Sequence, residues 1–173
     1  MSAQAPKSKV AAAKSAATAK PAAAGSARPP ALPSQIQSYL FFEGHCEEAL
    51  AYYRRVLGAE VTTLLRFKDS PEPPEPGMLP PDSGDKVMHA EFRVGGAVVL
   101  ASDGHCGGVP NFQGFALTLL VRTVAEAEKY FSGLAGGGEV RMPLVKTFFS
   151  ERFGMVADRF GVLWMVHVAP AGP

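Results

Sequence analysis

The sequence predicts an α+β domain built from one unit used twice, each running strand, helix, strand, strand, strand. Three observations carry this reading. Apolar residues recur at helical spacing in residues 47–57 and again in residues 124–134. Short β-branched and aromatic runs flank both stretches in the same order, so the second half repeats the first at the level of elements. The most apolar run, FGMVADRFGVLWMVHV at residues 153–168, reads as a hairpin turning at Asp158-Arg159-Phe160-Gly161, and a hairpin so apolar must close a larger sheet.

The first 33 residues stand apart. They hold Lys7, Lys9, Lys14, Lys20 and Arg28, no acid and no aromatic residue, and are expected to form a disordered basic arm. The arm has no apolar stretch of the secretory type. It is a solvated tail, a targeting peptide or a tether for a partner or nucleic acid. The formal charge of +1 conceals this asymmetry: outside the arm, 12 basic residues face 16 acidic ones. A mildly acidic body has no electrostatic footprint for nucleic acid, which leaves only the arm to supply one.

The expected domain runs from residue 34 to 170, with module one at 35–103, a linker at 104–112 and module two at 113–168. Residues 36–42 alternate as a strand and exit at Glu43-Gly44. The helix at 47–57 carries Glu47 and Glu48 in its first turn and stops at Gly58. Residues 60–67 make the second strand. Six prolines between Pro71 and Pro81 then rule out regular structure, so residues 70–84 are either a lid over a site or a solvated excursion. Residues 86–94 and 97–102 form a hairpin about Gly95-Gly96.

Module two opens with a strand at 114–121, and Thr123 caps the helix at 124–134, which ends at Gly136-Gly137-Gly138. A short strand at 139–142 and a loop at 143–151 bearing Phe148-Phe149 lead to the closing hairpin. The two cysteines, Cys46 and Cys106, lack metal-module spacing and suit a reducing, cytoplasmic setting. Cys46 begins a helix, where the dipole would lower its pKa. No apolar run reaches the roughly 18–20 residues of a membrane span.

With these elements in place, the chain resembles the vicinal oxygen chelate superfamily, and within it the PhnB-like branch described as demethylubiquinone methyltransferase-like or glyoxalase/bleomycin-resistance-like. The residues are Tyr39-Leu40-Phe41-Phe42-Glu43-Gly44, Glu48-Ala49, Tyr52-Tyr53 and Gly58-Ala59-Glu60. Met88-His89-Ala90, Ser102-Asp103, residues 153–162 and Trp164-Met165-Val166 complete the set. The resemblance covers residues 36–168. It implies two paired βαβββ modules forming a curved mixed sheet around a cleft, a ligand bound between modules or subunits, and a homodimer.

Metal-using members of the superfamily hold a divalent ion with four His, Gln or Glu side chains. The resemblance places those positions near Gln37, Leu100, Phe115 and Met165. Only Gln37 is a strong ligand type, because Leu and Phe cannot coordinate and a thioether is a poor partner for zinc or harder cations. No cofactor is therefore expected, and if a metal is held, Gln37 and His89 are its ligands. Strand alternation puts Tyr39 and Phe41 on the face of Gln37, and Leu163 and His167 on that of Met165, with Phe115, Leu117 and Leu119 added to the floor. Tyr39, Phe41, Phe115, Leu100, Met165 and Phe149 are the expected ligand-binding residues, the same stripe being what a sheet core needs.

His89 and Glu91 share a strand face, suited to a base with its orienting carboxylate, to two metal ligands, or to a sheet-surface pair at or near a dimer contact. His167 is a cleft acid or base, or a hydrogen-bonded structural histidine. Glu43 stands at the cleft rim. His45 and His105 are solvated turn residues. Asp103 is expected to accept N–H bonds from the glycine-rich linker, Asp158 to fix the hairpin turn, and Arg159 to pair with Asp158 or with a carboxylate across a subunit interface. Trp164 should face the covering helix. No GxGxxG, GxSxG, Walker or HExxH motif is present.

Three functions follow: a small-molecule-binding protein with an apolar cleft; a metal-dependent lyase, isomerase or dioxygenase with a non-standard ligand set; or a dimeric interaction module tethered by its basic arm.

Overall fold

The computed structural model describes residues 35–72 and 74–169. The expectations for the basic arm lie outside the described residues. Module one comprises β1 (Ser38–Phe41), α1 (Cys46–Leu57), β2 (Glu60–Arg66), β3 (Val87–Val94) and β4 (Ala97–Ser102). Module two repeats it as β5 (Leu117–Val121), α2 (Val124–Ala135), β6 (Glu139–Val145), β7 (Phe153–Ala157) and β8 (Leu163–Val168). Each module is a mixed four-stranded sheet, ordered β1-β4-β3-β2 in the first and β5-β8-β7-β6 in the second. In both, the first strand runs parallel to the last and the remaining pairs are antiparallel.

Local chemistry sets the helix ends. Thr123 and Glu126 form a reciprocal capping box on α2. Helix α1 ends on Gly58, whose φ of 68° is the left-handed conformation that glycine adopts without a Cβ penalty. Its start has no side-chain cap from His45; Asp103 supplies one from across the module, as described below.

Strand alternation divides each sheet into a helix-facing side and an open side. Leu40, Phe42, Phe92, Val156, Trp164 and Val166 turn to the helices and are buried. Tyr53, fully buried at their centre, stacks on Phe92 and meets Trp164 edge-on, both at 5.5 Å between centroids. Burial of such side chains stabilises by about 1.5–3 kcal/mol each.

The modules join through their helices. The Tyr52 hydroxyl donates to the carbonyls of Gly133 and Leu134 in α2. Gly133 permits the approach, because a Cβ there would lie 2.6 Å from Val56 Cγ1.

Three strand expectations change. β1 and β5 are shorter at their starts, leaving Ile36 exposed and Phe115 ahead of its ladder. β6 runs three residues beyond the expected Met142, through Pro143 to Val145. Proline is tolerated there because β6 is an edge strand whose register slips between Met142 and Val145. Leu117 and Leu119 pack against the helix-side core and do not join the open face. Thr118 and Leu120 take that side of β5.

Candidate functional site

On the open side of module one, Tyr39 pairs with Leu100, Leu100 with Glu91, and Glu91 with Thr63, so one row crosses all four strands. Tyr39 stacks on Phe41 at 4.8 Å. Its hydroxyl lies 3.3 Å from His89 Nδ1, and His89 Nε2 lies 3.9 Å from Glu91 Oε1. Tyr39, His89 and Glu91 thus form a partly exposed polar chain, with the Tyr39 hydroxyl within hydrogen-bond reach of the imidazole and the Glu91 carboxylate just beyond it.

Beside this chain opens a cavity of about 620 Å³. Tyr39, Phe41 and Phe115 line it. The floor and wall also include Phe112, Met88 and Phe67, with polar groups from Glu43, Ser102, His105 and Asn111. Met78, carried by the proline-rich segment, lines it too, which makes that segment a wall of the cavity. Glu43 is held by the linker. Its Oε2 accepts from Gly107 N at 2.9 Å, and its carbonyl accepts from Gly108 N at 2.7 Å. Ser102 Oγ accepts from Gly104 N. The linker therefore folds back over the end of β1 and brings His105, Asn111 and Phe112 with it. His105 is an exposed turn residue, as expected, and it also lines the cavity.

The remaining sequence candidates lie elsewhere. Leu100 is on the same face as Tyr39 but outside the cavity lining. Gln37 precedes β1 and is exposed. Met165 sits in a row of module two with Thr118, Met155 and Met142. His167 belongs to the next row, opposite Leu120 and Phe153, and Phe149 meets it edge-on at 5.7 Å. Its Nε2 is buried without a hydrogen-bond partner among the described residues. Phe149, Met165 and His167 are thus grouped on module two, while the cavity draws on module one and the linker.

Two of the four positions that the resemblance gives for a metal, Leu100 and Met165, carry side chains that do not suit a divalent ion. Register places Thr118, not Phe115, opposite Met165, so the position expected near Phe115 shifts to another weak donor. Among the described residues no three His, Cys, Asp or Glu side chains gather closely enough to hold an ion. Leu100 and Met165 supply no hard donor.

Other polar expectations are corrected by position. Asp103 is buried and accepts from Gly44 N and Cys46 N with Oδ1 and from Val87 N with Oδ2. It ties the start of α1 to the start of β3, rather than capping the linker. Burial pushes the Cys46 thiol well above its ordinary value, reinforced by the carboxylates of Asp103 and Glu47, so the expected helix-dipole activation does not hold. Asp158 accepts from Phe160 N and Val162 N with Oδ1, which fixes the turn as expected, and from Tyr53 Oη and Trp164 Nε1 with Oδ2. Burial raises its pKa, and those four donors oppose the rise. Arg159 takes no part in that cluster and lies over the Tyr52 ring.

Residues 34–167 match the family model described as 3-demethylubiquinone-9 3-methyltransferase. The chain belongs to that family. This is the PhnB-like branch of the vicinal oxygen chelate superfamily. Protein YjdN of Escherichia coli, 37% identical over 145 residues, covers 80% of this chain and 97% of its own length. The solved structure of PA1353 from Pseudomonas aeruginosa is 43% identical over 79% of this chain and 98% of its own, with a TM-score of 0.69. A PhnB protein from Bacillus cereus, titled a 3-demethylubiquinone-9 3-methyltransferase, is 28% identical over 79% of this chain and all of its own, at a TM-score of 0.65. The fosfomycin resistance protein FosX of Listeria monocytogenes shares the fold, with a TM-score of 0.54 at 13% identity.

Proposed function

We propose that this PhnB-like chain binds a flat, amphipathic small molecule in the cavity beside β1. The observation that carries the reading is the convergence of Tyr39, Phe41, Phe112 and Phe115 around about 620 Å³, with Glu43, Ser102, His105 and Asn111 as a few polar contacts. An apolar body with sparse polar groups is the usual composition of a small-molecule site. The methyl transfer in the family's description is not part of this proposal, since no GxGxxG loop follows any described strand. A thermal-shift screen of aromatic and glycopeptide compounds tests it. Hits should raise Tm, and Phe115→Ala should weaken their binding by about tenfold, the loss of one aromatic contact. Hits that bind the variant equally well would place the site elsewhere.

A second reading has one specific observation behind it. The Tyr39–His89–Glu91 chain ends at a cavity-lining phenol, the arrangement needed to pass a proton to or from a bound ligand. In that reading Tyr39 touches the ligand, and His89 and Glu91 stand behind it.

The proposal includes a homodimer. The open face of module two presents Met142, Met155 and Met165 beside Leu120 and Val145, an apolar surface fit to be covered by a second copy. Light scattering during gel filtration should return twice the chain mass of 18.3 kDa; a monomer at micromolar concentration would count against it.

A further inference from the structure

A second groove, of about 760 Å³, lies on the helix side, away from the open faces of both sheets. Its floor is the Tyr52 ring, and the guanidinium carbons of Arg55 and Arg159 both stand within 5.5 Å of that ring's centroid. Neither arginine forms an ion pair among the described residues, although the module surfaces offer several carboxylates.

The pair is built in place. Asp158 fixes the turn that carries Arg159, its Oδ1 accepting from Phe160 N and Val162 N just after the arginine, while its Oδ2 is spent on Tyr53 and Trp164. Gly137 leaves room for the guanidinium, since a Cβ there would lie 2.8 Å from Arg159 Nη2. Tyr52 cannot turn away, because its hydroxyl donates to two carbonyls of α2. Two positioned forks over an aromatic ring offer paired N–H donors to a planar or tetrahedral oxyanion.

We propose that this groove is a binding site for a small molecule bearing a phosphate or carboxylate, with its oxyanion held between Arg55 and Arg159 and its body along Tyr52 and Pro110. Glu48 is the groove's acid. It is turned toward His45 Nδ1 at 3.5 Å, and lies two helical turns, about 10 Å, from Arg55, far enough to leave the arginine end cationic.

The test is titration of the full chain with inorganic phosphate, phenyl phosphate and benzoate, followed by the Nε–Hε resonances of Arg55 and Arg159. Saturable shifts at both arginines are expected with at least one probe, weakening as salt is raised. Arg159→Gln and Arg55→Gln should each weaken binding about tenfold or more, whereas Arg54→Gln, an exposed neighbour on the same helix, should not. Circular dichroism confirms that each variant is folded. No saturable shift with any of the three probes, undiminished binding in both arginine variants, or equal loss in Arg54→Gln would overturn the proposal. The cavity beside β1 is monitored separately through Phe115→Ala, so failure at one site is distinguishable from failure at the other.

Discussion

Asp103, after the last strand of module one, and Asp158, in the hairpin turn between the last two strands of module two, are both buried carboxylates, yet they do different work. Asp103 satisfies three backbone donors within module one; Asp158 links the helix of module one to the last hairpin of module two through Tyr53 and Trp164. The sequence marks both as turn carboxylates, but their long-range partners lie dozens of residues away and leave no local pattern. Cys46 shows the same limit. Its position at a helix start suggests activation, while burial beside Asp103 enforces the neutral thiol. This carries a pH prediction. The unfolded thiol ionises near its ordinary value of 9.0 and the folded thiol only at higher pH. Folded protein therefore retains its proton where unfolded protein loses it, and stability falls as pH rises from about 9. Cys46→Ala should be less stable at neutral pH but lose less on going to alkaline pH, as measured by urea unfolding; an unchanged alkaline slope would show that Cys46 does not set it.

Elements were more legible than contacts. Helical spacing and glycine stops locate α1 and α2 to within a residue or so, because each buries one face against a sheet. The misread strands are those where a neighbour decides: Pro143 ends a strand by its own chemistry, but an edge position with a register slip accommodates it. The parity of β5 was misread for a related reason, since only pairing with β8 sets Thr118 beside Met165 and turns Leu117 and Leu119 toward the core. Close approach between elements is equally invisible in sequence. A Cβ on Gly154 would meet the Phe131 ring at 2.7 Å and Leu144 Cα at 2.9 Å, so this glycine lets α2 and β6 close on β7. Gly154→Ala should cost about 1–3 kcal/mol, the scale of overpacking in a tight interior. Chemical denaturation within a few tenths of a kcal/mol of wild type would contradict that account.

For the whole molecule, the repeat of modules and the family were readable from short motifs, because those motifs are the turns and core contacts that set the fold. The cavity was only half readable. Tyr39 and Phe41 lie on β1, where alternation gives them one face, whereas Met78 comes from the proline-rich segment and His105, Asn111 and Phe112 from the linker that Glu43 holds through Gly107 and Gly108. His167 and Phe149 sit together on module two and do not line the cavity that the sequence would have them share. Methionine methyl groups report on both places at once. In a chain labelled at its methionine methyls, titration with a screening hit should shift Met78 and Met88, which line the cavity, and leave Met142 and Met155 on the module-two face unmoved. Shifts confined to Met142, Met155 and Met165, with Met78 and Met88 unchanged, would contradict a ligand site beside β1.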